Sequence, residues 1–156
     1  MMRRVVLLFL LVALAALPAR AEGIPHPLAV VPMLPLAAGP HPDIEDLLRR
    51  HWRDFFEASG EHAFTLADVR AGRFDFNGDD DPELVLMIDR ADWQSDEGKP
   101  LVIATWTEQR WLPVGWGWGD EDQVFVTDQV IDGWRTLDIG KYLMRWTRDG
   151  YRRDPK

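Results

Sequence analysis

Asp75-Phe76-Asn77-Gly78-Asp79-Asp80-Asp81-Pro82-Glu83 runs without a break into Leu84-Val85-Leu86-Met87-Ile88. Five carboxylates and one amide fall within the first nine of these residues. Like charges at that density repel one another when no cation screens them. Side-chain oxygens recur at positions one, three, five and nine of the run, and position seven is free to offer its backbone carbonyl. That is the spacing with which a tight loop wraps a hard cation such as Ca²⁺. The five residues that follow are apolar at every position, the pattern of a central strand covered on both faces.

Working outward from this run toward the N-terminus, Asp43 to Ser59 predicts a helix. Asp43 is the expected cap, with Asp46 three residues on as an acidic variant of the capping box. Ile44, Leu47, Leu48, Trp52, Phe55 and Phe56 recur at helical spacing on one face, and Gly60 stops the element. A second, shorter helix is predicted from Thr65 to Ala71, with Asp68 three residues after the capping threonine and Gly72 ending it. Residues 25–42 hold six prolines among apolar residues. Proline at this density blocks both helix and central strand, so residues 22–42 read as an extended arm that either packs across the domain or hangs free.

Toward the C-terminus the pattern is of strands: Leu101 to Thr107, Trp111 to Val114, Gln123 to Thr127, Gln129 to Asp132 and Lys141 to Arg148. Asp149-Gly150 is a two-residue hairpin signal, with Tyr151-Arg152-Arg153 pairing back. No period of about 20–50 residues repeats. The expected fold is a single α+β domain over residues 43–156, with N-terminal helices packed on an antiparallel meander of about five to six strands.

The first 21 residues read as a secretory signal. Arg3 and Arg4 form a basic start, Val5 to Leu17 is an apolar run of 13 residues, and Ala19-Arg20-Ala21 is a small-x-small cleavage pattern. The run is shorter than the roughly 20 residues a membrane span needs, so no stable membrane insertion is expected after cleavage. No cysteine follows it for lipid attachment. A periplasmic or secreted bacterial protein is the implied setting. Net charge is −8, and removing the signal leaves 15 basic against 26 acidic side chains, a net charge of −11. Phosphate backbones and anionic lipid repel such a chain, which argues against nucleic acid as a partner. With no cysteine there are no disulfides, thiol catalysis or thiolate metal sites.

The acidic run resembles the Asp-x-Asn-Gly-Asp-Gly-x-x-Glu element of the FG-GAP and VCBS-type repeat families, a calcium loop that leads straight into a hydrophobic strand. The resemblance implies Asp75, Asn77, Asp79 and Glu83 as side-chain ligands of Ca²⁺, and Asp81 as the backbone-carbonyl ligand. The glycine usual at position six is here Asp80, at a place that favours a left-handed backbone. More loosely, the likeness extends to Gly133-Trp134-Arg135-Thr136-Leu137 and Asp149-Gly150-Tyr151, a layout similar to small exported bacterial proteins with a single copy of the loop. One copy does not make a propeller. An EF-hand is disfavoured because position twelve is Leu86, where a bidentate glutamate is required.

Other chemistry is sparse. His26 and His41 lie in the proline arm, His51 on the first helix and His62 in the loop after it, with no zinc spacing among them. Glu61 beside His62 is a conceivable metal pair. No nucleophile elbow or phosphate-binding glycine loop occurs, and no catalytic residue is assigned. Gly115-Trp116-Gly117-Trp118-Gly119 puts two indoles on one side of an extended chain, a platform for sugar rings or for a protein partner, or else part of the core. Asp120-Glu121-Asp122 beyond it is a second acidic patch or a solvated turn. The reading is a non-enzymatic exported domain with a structural Ca²⁺ loop and a binding or protective (inhibitor- or immunity-like) role toward a cell-envelope protein. The alternatives act on envelope glycan: a carboxylate-dependent hydrolase, or a module binding through Trp116 and Trp118.

Overall fold

A computed structural model describes residues 24–119 and 123–156. Among these residues it forms one α-helix and ten strands. In chain order they are β1 (Pro27–Pro32), β2 (Leu34–Pro35), α1 (Pro42–His51), β3 (Val69–Phe74), β4 (Glu83–Ile88), β5 (Lys99–Thr107), β6 (Arg110–Gly119), β7 (Gln123–Ile131), β8 (Trp134–Asp138), β9 (Tyr142–Thr147) and β10 (Gly150–Pro155).

The apolar run after the acidic loop sits where its pattern places it. All six residues of β4 are buried, with β3 and β5 antiparallel on either side. Its side chains alternate between two cores, as period two requires. Val85 and Met87 join Val31, Met33, Ile103, Val126, Leu137, Met144 and Tyr151 on one face. Leu84, Leu86 and Ile88 join Ile44, Leu47, Leu48, Phe64, Val102 and Trp111 on the other. The first cluster draws on strands from both ends of the sheet and is the inside of a nearly closed barrel. The second is the outside of β3–β5 roofed by α1, whose apolar stripe is the one read from Ile44, Leu47 and Leu48.

Closure comes from the proline-rich segment. β3 to β6 form one antiparallel run and β7 to β10 another. β1 pairs with β7, the chain turns through buried Met33, and β2 pairs with β3. The same segment thus borders both ends of the sheet. Because β1 and β2 are each an edge strand, a proline nitrogen on the open side forfeits no ladder hydrogen bond. Of the two forms expected for the arm, the packed one is present, as strand. Opposite this closure, β6 and β10 meet in parallel register at a single pair, Gly115 with Tyr151.

The expected α+β fold with five to six strands is therefore corrected to a mostly-β barrel with a single helix. Helix α1 ends at His51 instead of Ser59; Trp52 leaves helical geometry, and Phe56 forms a β-bridge with Phe64. The helical spacing beyond His51 thus serves two segments folded back on each other. The capping pair at Thr65 does form, with the Thr65 N–H donating to Asp68 Oδ2 at 2.8 Å, but it starts only a 3₁₀ turn, Leu66–Asp68. Val69 then begins β3, and Gly72, expected as a stop, lies inside that strand. A Cβ there would stand 2.6 Å from Val31 Cγ1, so the residue marks close packing of β1 on β3 rather than a chain end. Gln123–Thr127 and Gln129–Asp132 are one strand with a register shift between Val126 and Val130. In the last hairpin Gly150 pairs with Thr147, so its loop is Arg148-Asp149, one residue earlier than read. The signal of residues 1–21 and the patch at Asp120-Glu121-Asp122 lie outside the described residues.

Candidate functional site

The acidic loop joins β3 to β4. It is pinned from below by Phe76, whose ring is buried against Phe74 and Tyr151 and whose carbonyl accepts the Arg135 N–H at 2.8 Å. Above this anchor the side chains at positions one, three and five turn onto the loop's own backbone. Asp75 Oδ1 accepts the N–H groups of Gly78 at 2.7 Å and Asp79 at 3.2 Å, and its Oδ2 accepts that of Asp80 at 3.1 Å. Asn77 Oδ1 accepts the Asp79 N–H at 2.9 Å, and Asp79 Oδ1 that of Asp81 at 2.8 Å. Burial alone would raise the Asp75 pKa, but donation from the Gly78, Asp80 and Asp79 N–H groups outweighs it and holds the carboxyl below its ordinary range. Position six has the left-handed backbone read from the resemblance: Asp80 has φ +69°.

Glu83, at position nine, is the unusual member. It is fully buried at the head of β4. Its Oε2 accepts the Phe76 N–H at 2.8 Å, and its Oε1 is approached by Asn77 Nδ2 at 3.3 Å and Thr105 Oγ1 at 3.4 Å. Burial raises its pKa to about 7; the Phe76 N–H opposes the rise, and the nearby charges of Asp79 and Asp75 add to it. Asn77 Nδ2 also donates to Asp79 Oδ2 at 2.8 Å, so the amide lies between the carboxylates of Asp79 and Glu83. Among the described residues no three Asp, Glu or His side chains converge into a ready-made metal cage. The candidate set, however, also uses the Asn77 amide and the Asp81 carbonyl. All its donors are oxygens, which suits Ca²⁺ or Mg²⁺ over softer ions. A loop curled inward around a buried carboxylate that ionises only near neutrality fits a cation ligand set.

The second predicted site is on β6. The two indoles fall on the outer face because the inner one has no room: a Cβ at Gly117 would stand 3.1 Å from both Ile139 and Met144. Trp116 is 43% exposed and Trp118 half-buried. Trp116 packs edge-on against Trp52, ring centroids 5.0 Å apart, and 5.5 Å from the His51 ring. Trp116 and Trp118 line a groove of about 310 Å³ together with Trp52, Trp93, Pro100 and Arg153. Sequence reasoning missed Trp52 and Trp93 as members. Trp52 read as a core position of the helix, and only the break at His51 turns it toward β6. Trp93 lies in a 3₁₀ turn, Ala91–Trp93, where no periodic signal marks it; its Nε1 donates to the His62 carbonyl at 2.9 Å.

The remaining candidates are scattered. Glu61 lies 3.2 Å from His62, with Asp92 3.6 Å away on the other ring nitrogen, all at the surface. Burial lowers the His51 pKa, with Arg50 adding to the effect. A groove of about 320 Å³ at the loop's base holds Asp43, Asp81, Arg73 and Trp106, but Asp81 belongs to the loop and Asp43 accepts the Trp111 Nε1–H at 2.8 Å. It does not supply the carboxylate pair away from the loop that the hydrolase reading requires. Comparisons with protein-family models, with curated proteins and with solved structures find no match.

Proposed function

We propose that this protein is an exported, non-enzymatic binding domain of the cell envelope whose barrel rim is braced by one Ca²⁺. The side chains of Asp75, Asn77, Asp79 and Glu83 and the carbonyl of Asp81 hold the ion. The observation that carries the reading is the buried Glu83 carboxyl beneath an inward-curled loop of oxygen donors. Ca²⁺ bound there would neutralise charge that the fold otherwise tolerates poorly. The site is structural: it ties the β3–β4 hairpin to the barrel and leaves the outer face free for a partner, in an inhibitor- or immunity-like role. Exported modules hold Ca²⁺ at about 10⁻⁴–10⁻³ M, which suits this setting. Thermal unfolding of residues 22–156 in EDTA and in about 10 mM Ca²⁺ tests it. At roughly 100 times Kd the ion adds about 2.7 kcal/mol. A shift abolished by Asp75→Ala with Asp79→Ala supports the site; no shift sinks it.

A second reading, a glycan-binding module, is favoured by the groove of four indoles, since pyranose faces stack on exposed aromatic rings. Quenching or a blue shift of tryptophan fluorescence by cell-wall oligosaccharides, lost in Trp116→Ala, supports it. An unchanged spectrum at millimolar sugar removes it.

A further inference from the structure

β6 and β10 are neighbours in the sheet, yet they share one residue pair, Gly115 with Tyr151. Among the described residues every other junction between neighbouring strands holds at least two pairs. A junction with so little backbone pairing depends on the side chains that cross it, and the one that crosses here is Tyr151. It is buried, and it passes so close to β6 that a Cβ at Gly115 would stand 2.5 Å from its own Cβ. Its ring meets Trp146, Trp134 and Phe76 edge-on, with centroids 5.2, 5.8 and 6.4 Å away. Its hydroxyl donates to the Arg135 carbonyl at 2.7 Å.

These contacts lead without a gap to the base of the acidic loop. The Arg135 N–H donates to the Phe76 carbonyl at 2.8 Å, and the Phe76 N–H donates to Glu83 Oε2 at 2.8 Å. Phe76 itself lies between Asp75 and Asn77. Its carbonyl is thus tied to β8, its N–H to the head of β4, and its ring rests on Tyr151. Lifting Tyr151 out of the seam breaks its bond to Arg135 and removes the ring on which Phe76 rests. A loop that moves off carries Phe76 away from Tyr151 in turn. Local opening starts where few hydrogen bonds must break, and that describes this junction.

We propose that Tyr151 is a latch that makes the β6–β10 seam and the β3–β4 loop open and close together. The seam is the point at which the barrel first opens, and whatever holds Asp75, Asn77 and Glu83 in place holds it shut. The trigger rests on the Ca²⁺ reading of the loop, whereas the tie between loop and seam rests on the contacts alone. An ion shifts such an equilibrium only if it binds the closed form better than the open one. That condition is met because opening withdraws the support of Phe76, which joins two residues of the ligand set.

Hydrogen exchange of residues 22–156, which hold every described element, tests this in EDTA and in about 10 mM Ca²⁺, with Tm measured alongside. In EDTA the seam amides, among those of Gly115, Trp116, Tyr151 and Arg152, should exchange roughly tenfold or more faster than those of Leu84–Ile88, which report global unfolding. At roughly 100 times Kd, Ca²⁺ should slow them about 100-fold, because an opening that releases the ion is suppressed by that factor. Amides in the last turn of α1, which fray without the loop, should keep their rates. Tyr151→Phe keeps the ring and loses the bond to Arg135; it should cut the Ca²⁺ protection of the seam roughly tenfold while the Ca²⁺ shift in Tm persists. Asp75→Ala, which frees the N–H groups of Gly78, Asp79 and Asp80, should speed seam exchange in EDTA with no ion involved. Seam amides as slow as those of β4 in EDTA, or unmoved by Asp75→Ala, would overturn the tie. A Tm shift with seam rates unchanged by Ca²⁺, or with full seam protection in Tyr151→Phe, would overturn the latch and leave the cation reading standing. No Tm shift would sink the cation reading and its trigger, and the Asp75→Ala result in EDTA would still decide the tie.

Discussion

Replacing Glu83 by Gln should make the metal-free protein more stable at pH 8 and change it little at pH 4. The carboxyl is fully buried, and its pKa is raised from an ordinary 4.5 to about 7. Between those values the folded protein keeps a proton that the unfolded chain has lost. Stability therefore falls as pH rises from about 4.5 to about 7, and the loss is complete above that. The interval corresponds to about 3 kcal/mol. Gln removes the ionisation and still offers an oxygen to the Phe76 N–H, 2.8 Å away. Its NH₂ meets the Asn77 Nδ2 donor, and that mismatch takes back about 1 kcal/mol. The expected net gain at pH 8 is about 2 kcal/mol, or about 8 °C in Tm for a domain of this size. Urea unfolding in EDTA from pH 4 to 8.5, followed by tryptophan fluorescence, measures the gap between parent and variant. In saturating Ca²⁺ the order should invert, because the parent keeps an anionic ligand that the variant lacks. A gap that does not widen between pH 4.5 and 7 would refute the reasoning about the buried carboxyl.

Three further outcomes are expected. Asp80→Gly should stabilise the loop by up to about 1 kcal/mol, because Asp80 holds φ +69° at a position glycine takes without strain; a lower Tm than the parent's in EDTA would contradict this. Gly150→Ala should destabilise by more than about 2 kcal/mol in urea, since φ is +105° and the new Cβ would stand 2.3 Å from the Val114 carbonyl oxygen; a near-neutral effect would mean the β6–β10 contact is looser than described. A chain beginning at Asp43 loses Val31 and Met33 from the barrel interior, roughly 1.5–3 kcal/mol each, and the strand that joins β7 to β3. It should bind a hydrophobic dye and melt without cooperativity, and a cooperative melt within a few degrees of the parent would show that the arm does not close the barrel.

Particular elements show why some features were readable and others were not. β4 was legible because five consecutive apolar residues after a polar loop leave little else for the chain to do. The loop's left-handed sixth residue was legible only through the resemblance, which puts a glycine where this sequence has Asp80. The stretch from Thr65 to Ala71 misled because a capping pair fixes only where a turn starts; whether a helix propagates depends on what the following residues pack against. Val69 and Ala71 found β4 as a neighbour, and pairing prevailed. The stretch from Trp52 to Phe56 misled for a related reason, since apolar spacing of three and four is equally served by two short segments brought together at Phe56 and Phe64.

Local chemistry by itself determined the oxygen-rich loop, the strand it opens into, the first three apolar contacts of α1, and the last hairpin to within one residue. These follow from forces acting within a few residues. Tertiary structure decided the rest. It turned a proline-rich arm into the strand that closes a barrel, because edge positions on two different strands happened to lie where its apolar residues could be buried. It gathered Trp52 and Trp93 beside Trp116 and Trp118, four rings whose sequence positions carry no common period. And it left β6 and β10 joined by one residue pair, because the close approach of Gly150 to Val114 brings the strands together at a point from which neither ladder continues.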